Sequence, residues 1–158
     1  MNRPAPAGYS RPQIALHWLT LLLLVGIWFT RGGAERAFDA AREGAAAGPP
    51  LHAIIGLTIL VLTVARIFLR VTRGAPAPVA TDSAAQQRAT VWGHRLLYVL
   101  LVLVPLGGAF TWFTVSETPH GLLGYALFVL VLGHAALALW HQHGKRDGTM
   151  TRMIRPQG

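Results

Sequence analysis

The stretch Gly121–Trp140, GLLGYALFVLVLGHAALALW, decides how the rest of the chain is read. It runs for twenty residues without a charged side chain, and a helix needs about twenty apolar residues to cross the hydrocarbon core of a bilayer. Three other stretches are apolar enough over enough residues to do the same. IALHWLTLLLLVGIWFT at 14–30 carries no formal charge, 51–70 stays apolar until Arg66 and Arg70, and 91–113 holds His94 and Arg95 near its start and Pro105 midway. Helices are therefore expected at about residues 14–30, 51–70, 91–113 and 120–141. The fold class that follows is all-α, a four-helix transmembrane bundle forming a single membrane domain over residues 1–158. Arg3 and Arg11 precede the first stretch as they would precede a secretory leader. The apolar part of a cleavable leader is about 7–15 residues, however, so 14–30 reads as a retained span.

Composition points the same way. The chain has 158 residues, room for one domain. Hydrophobic residues make up 53% and charged ones 13%, about half the charged share of a soluble protein. A mean hydropathy of +0.43 excludes disorder. The absence of cysteine excludes disulfides, iron–sulfur clusters, thiolate zinc sites and covalently attached haem. Fourteen Lys and Arg against six Asp and Glu give a net charge of +8. These basic residues sit at the ends of apolar runs rather than on a polar face, so no nucleic-acid partner is expected.

They set the topology instead. With the N-terminus cytoplasmic, that side holds Arg3, Arg11, Arg66, Arg70, Arg73, Arg88, Arg95, Lys145, Arg146, Arg152 and Arg155. The other side holds Arg31, Arg36 and Arg42, interleaved with Glu35, Asp39 and Glu43. The positive-inside rule then puts both termini in the cytoplasm. The connections differ in character: 31–50 mixes charges with Ala, Gly and Pro, 71–90 is a polar linker around APAPVATDSAAQQ, and 114–119 is very short. Beyond His143 a basic tail is expected to lie on anionic lipid headgroups. Trp18, Trp28, Trp92, Trp112 and Trp140 fall near span ends, as an aromatic belt does.

Seven histidines in so apolar a chain need a reason. Ionisable groups inside membrane segments are costly and point to function. With both termini on one side, His17 lies about one turn into the first span from that side, while His52 and His120 share the opposite level. His134 lies fourteen residues beyond His120, about 21 Å deeper at a helical rise of about 1.5 Å, and only about 40° off the same face. Two pairs emerge, His52 with His120 and His17 with His134, each from two helices at matched depth. Opposed neutral imidazoles are what a haem iron takes as axial ligands. Gly56, Gly124 and the Gly107–Gly108 step offer small residues where a flat ring would press on a helix. A di-histidine metal transporter or a proton relay satisfies the same pattern. His94 competes with His17 as the partner of His134, and His94 and His141 are candidates to flank a quinone pocket. Arg95 is a candidate partner for a haem propionate.

At this point the residues resemble the bacterial cytochrome b561 family. The likeness runs from Tyr9-Ser10-Arg11 and Ile14-Ala15-Leu16-His17-Trp18 through His52-Ala53-Ile54-Ile55-Gly56 and Thr63-Val64-Ala65-Arg66. It continues with Gly93-His94-Arg95-Leu96-Leu97-Tyr98, His120, Gly133-His134-Ala135-Ala136 and Asp147-Gly148-Thr149-Met150-Thr151-Arg152-Met153. The resemblance implies an inner-membrane bundle holding two haem b groups, with ligands from the first, second and fourth spans, which favours His17 over His94. The family includes a superoxide oxidase, so it further implies electrons taken from periplasmic superoxide at the His52–His120 layer and given to ubiquinone near His17, His134, His94 and His141. One feature departs from that picture. The 114–119 connection has no Lys or Arg and contains Glu117, and Arg31, Arg36 and Arg42 are matched by as many acids, so no positive funnel is expected. A cytochrome b subunit relaying electrons from a periplasmic dehydrogenase or hydrogenase is the competing redox reading.

Overall fold

The structure, a computed structural model, describes residues 6, 8–46, 48–77, 82–115 and 119–156. Five α-helices carry the fold: α1 (Arg11–Phe29), α2 (Arg31–Arg42), α3 (Leu51–Arg73), α4 (Ala84–Thr114) and α5 (His120–Trp140). A π-helical turn, His141–Lys145, extends α5, and a short 3-10 turn covers Thr151–Met153. Four helices, α1, α3, α4 and α5 with its extension, are long and apolar enough to cross a membrane. The bundle is all-α. Round the bundle α1 packs on α3, α3 on α4 and α4 on α5.

The interior is small because lipid, not protein, covers most apolar side chains. Its centre is Ile59 on α3, Leu100, Leu101 and Val104 on α4 and Leu127 on α5, with Leu23, Leu24 and Ile27 of α1 packed against it. Outward-facing residues such as Phe113 (80% exposed) and Leu122 (72%) form the lipid surface. Thr20 on α1 and Thr63 on α3 are fully buried. Each returns its hydroxyl to a carbonyl four residues back, Leu16 at 2.7 Å and Ile59 at 2.7 Å. Those local bonds satisfy the hydroxyls where no water is at hand.

The sequence reading puts the third span at 91–113 and 71–90 in a linker, but α3 continues to Arg73 and α4 begins at Ala84. The reason is a reciprocal cap. Ser83 Oγ accepts from the Gln86 amide at 3.3 Å, and the Ser83 amide donates to Gln86 Oε1 at 3.0 Å, which stabilises a helical start one turn and more before the apolar run. Residues 78–81 of that linker and 116–118 of the connection after α4, Glu117 included, lie outside the described residues.

The 31–50 connection is not irregular throughout, because α2 occupies its first part. Arg31, Ala34, Ala37, Phe38 and Ala41 are its half-buried stripe, while Glu35, Arg36, Asp39 and Arg42 face out. The 3.6-residue period of that stripe is the signal of an amphipathic helix. α2 packs on α3 and α1 at the end of the bundle opposite the termini.

The C-terminal tail is bound back onto the protein. Left-handed backbone at Arg146 (φ 55°) and Gly148 (φ 73°) turns the chain back. Trp18 Nε1 donates to the Met153 carbonyl at 2.7 Å, and Arg152 donates to Ala77 at 2.9 Å. Lys145 pairs with buried Asp82, while His141 Nδ1 meets Asp147 Oδ2 at 2.5 Å. Burial on its own raises the Asp147 carboxyl, but hydrogen bonds from Thr149 and His141 outweigh it and hold the group below the usual carboxylate range. A depressed folded value stabilises the tail above the ordinary carboxylate pKa of about 3.9 and loses that effect as pH falls through the folded value. Asp147→Asn is expected to free the tail at neutral pH. A hydrogen bond to a charged group contributes about 1.5–3 kcal/mol, so tryptic cleavage after Arg152 should quicken tenfold or more. Unchanged cleavage would assign the tail's attachment to Trp18 and Arg152 alone.

Candidate functional site: two layers of paired histidines

The bundle brings histidines together at two levels. At the α2 end, His52 in the first turn of α3 and His120 at the start of α5 have ring centroids 6.0 Å apart, with planes at 89°. At the terminal end, His17 of α1 and His134 of α5 stand 6.3 Å apart at 62°. His94 of α4 joins this second layer, 5.1 Å from His134. α1 and α5 meet chiefly through side chains: the His17–His134 pair, and Trp28 stacked on Phe128 at 4.2 Å.

Hydrogen bonds fix which ring nitrogen carries the proton. His120 Nδ1 lies 2.9 Å from the Val104 carbonyl, which only accepts, so Nδ1 bears the hydrogen. Thr30 spends its single hydroxyl hydrogen on Ile27 at 2.8 Å, so its contact of 3.0 Å with His52 Nδ1 is donated by the imidazole. His94 Nδ1 donates to Thr90 at 2.7 Å. In all three the Nε2 lone pair is the one presented to a ligand. His17 differs: Arg66 donates to its Nδ1 at 3.1 Å.

His120 reaches Val104 only because α4 has no side chain at Gly108. A Cβ there would lie 2.8 Å from His120 Cε1. The Gly107–Gly108 step thus makes room for the His120 ring. Gly56 faces Ile27 at 3.7 Å, an ordinary helix–helix contact. Arg95 stacks on Trp92 at 4.7 Å on the exposed side of α4, beside a shallow depression lined with Gln87 and Arg88. His141, read as a pocket residue, is engaged by Asp147 and packs on Trp140. Asp82, His141 and Asp147 form a possible metal-binding trio, but the Lys145 ammonium already holds Asp82.

Two residues that the sequence reading passed over stand in the layers. Arg66, read as an interfacial anchor, turns inward to His17. Arg31 donates to the Tyr125 hydroxyl at 2.7 Å and covers Trp28 at 3.9 Å, and its Nε is buried without an acceptor among the described residues. For Arg66 the available signal was its placement seven residues inside the α3 terminus, deeper than a headgroup contact requires.

The donor set fits a porphyrin iron. Metal–imidazole bonds of about 2 Å on each side, with about 1 Å more to each ring centre, set opposed centroids about 6 Å apart. The 6.0 and 6.3 Å separations match this, and 5.1 Å falls short of it. Fold and site together define a class: membrane four-helix proteins with paired imidazoles at two depths. A profile described as prokaryotic cytochrome b561 matches residues 8–156, and the chain belongs to that family. Membership carries b-type haem binding, electron transport and a bacterial membrane setting with it.

The chain is 38% identical to cytochrome b562 of Cereibacter sphaeroides, over 95% of this chain and 97% of that one. It is 26% identical to cytochrome b561 homolog 2 of Escherichia coli, over 94% and 92%. A protein of Yersinia pestis named "Probable superoxide oxidase CybB" is 27% identical, over 92% and 95%.

A pair of substitutions tests the glycine argument. Gly93 has nothing within 4 Å of an added Cβ, so Gly93→Ala should stabilise by about 1 kcal/mol through helix propensity. Gly108→Ala must push His120 off Val104 and should cost about 1–3 kcal/mol, as overpacked sites do. Melting of the two variants in detergent should move in opposite directions; equal shifts would remove the claim.

Proposed function

We propose that this chain is a di-haem membrane cytochrome that carries electrons from superoxide, at the α2 end, to ubiquinone at the end bearing the termini. The observation that supports it is the pair of imidazole couples at 6.0 and 6.3 Å, one near each end of the bundle. When bound, a b-type haem supplies a one-electron carrier at each depth. His52 and His120 are the residues to hold one, with Thr30 and the Val104 carbonyl orienting their rings as outer partners of metal-bound imidazoles do. His17 and His134 are the residues to hold the other. His94, too close to His134 for that spacing, is assigned to the quinone side. Its Nδ1 is held by Thr90, which leaves Nε2 to carry a proton toward a quinone oxygen.

The charge distribution supports the orientation. Arg66, Arg70, Arg73, Arg88 and Arg152 gather at the end with the termini, which the positive-inside rule assigns to the cytoplasm. At the opposite end Arg31 is folded against the bundle and lies within electrostatic reach of His52. A small anion gains from a cation held at that point. The relative from Yersinia pestis named for superoxide oxidation adds to this reading. Two superoxide anions each release one electron and leave as dioxygen; two electrons and two protons convert the quinone to its quinol.

Purified protein should contain two b-type haems by the pyridine haemochrome assay. His52→Ala and His120→Ala should each remove the same haem, and His17→Ala and His134→Ala the other, while His94→Ala keeps both. Loss of a haem on replacing His94 but not His17 would exchange their roles. A superoxide pulse should accelerate ubiquinone reduction above the dismutation background, and no acceleration would rule out superoxide as donor.

A further inference from the structure

Arg66 presents a problem that the histidine pairing itself creates. Its guanidinium donates to His17 Nδ1 at 3.1 Å, and Arg offers donors only. An imidazole that gives its Nε2 lone pair to a metal carries its proton on Nδ1, and becomes a donor there as well. Two donors then face each other inside the membrane segment, and the bond seen at 3.1 Å cannot persist. The ion pairs His141–Asp147 and Lys145–Asp82 do not involve Arg66. Around it stand Tyr9 and Tyr98; the Tyr98 hydroxyl accepts a hydrogen bond from Arg66, and its ring centre lies 5.5 Å from Arg66 and 5.9 Å from Arg70. A half-buried cation with a second cation across one tyrosine is an expensive arrangement unless an anion joins it.

The chemistry of the missing anion is narrow. It must accept from the guanidinium that His17 Nδ1 can no longer accept from, and it must arrive when Nε2 is taken. A carboxylate has two oxygens for two donors, and a b-type porphyrin brings propionate carboxylates with it. We propose that Arg66 is the carboxylate anchor of the porphyrin held by His17 and His134, releasing His17 Nδ1 as that group binds. The inference rests on the di-haem reading above. It gives Arg66 the role that the sequence suggested for Arg95, whose side chain faces outward over Trp92. It also assigns Arg66 as a positioning residue, because a propionate held there would orient the macrocycle in its site.

The test compares haem b with its dimethyl ester, which keeps the iron and the ring but has no carboxylates. The full chain, stripped of haem in detergent, is titrated with each, and the two sites are followed by their α bands. Wild type should bind the ester at least tenfold more weakly than haem b at the His17–His134 site. Arg66→Met should abolish that preference there while leaving binding at the His52–His120 site unchanged, Arg66→Lys should keep part of it, and Arg95→Ala all of it. Equal binding of acid and ester by wild type would overturn the proposal, as would an undiminished preference in Arg66→Met. Loss of both sites in Arg66→Met would assign Arg66 to folding and overturn it too. Failure of wild type to bind haem b at all would instead refute the di-haem reading.

Discussion

Inside a bilayer a polar group must find its partner within the protein, and the rest of this structure depends on that rule. It explains why Thr20 and Thr63 bond their own helices and why three imidazoles have their Nδ1 hydrogen placed on an oxygen. Each such bond also orients a ring and leaves Nε2 as the chemically useful nitrogen. Satisfying the polar group and preparing the ligand are one event.

The two layers meet the requirement differently. At the α2 end both rings are oriented by oxygen acceptors, Thr30 and Val104, and space for His120 is cleared by Gly108. At the terminal end three imidazoles and Arg66 share one region, and a guanidinium occupies a ring nitrogen. The first arrangement already holds the tautomer that ligation needs, and the second, by our proposal, would change partner on ligation. Function at the two ends of one bundle thus follows from which atom lies behind each imidazole.

Packing supports this division. The core is confined to α3, α4 and α5 around Ile59, Leu100, Leu101, Val104 and Leu127, while α1 and α5 meet through rings rather than backbone. That leaves the space between α1 and α5 to side chains of chemical consequence. α2 and the returning tail close the two ends, so polar backbone is paired where the helices stop.

Much of this was legible in residue order alone. Four long apolar runs require four crossings, and fourteen residues between His120 and His134 require one face and two depths, because helix pitch and bilayer thickness are constants. The capping box Ser83–Gln86 and the apolar stripe of α2 were also legible, though the longer hydropathy runs beside them dominate the reading. Arg66 against Arg95 was not. Both sit near the terminal end of a span, and which one faces His17 depends on the rotation of α3 and α4 about their axes. Rotation is settled by contacts between helices, such as Thr63 and Ile59 buried against their neighbours, and no local pattern encodes it. The sequence by itself determined the spans, their depths and the histidine levels; only the tertiary structure decided what stands behind each ring.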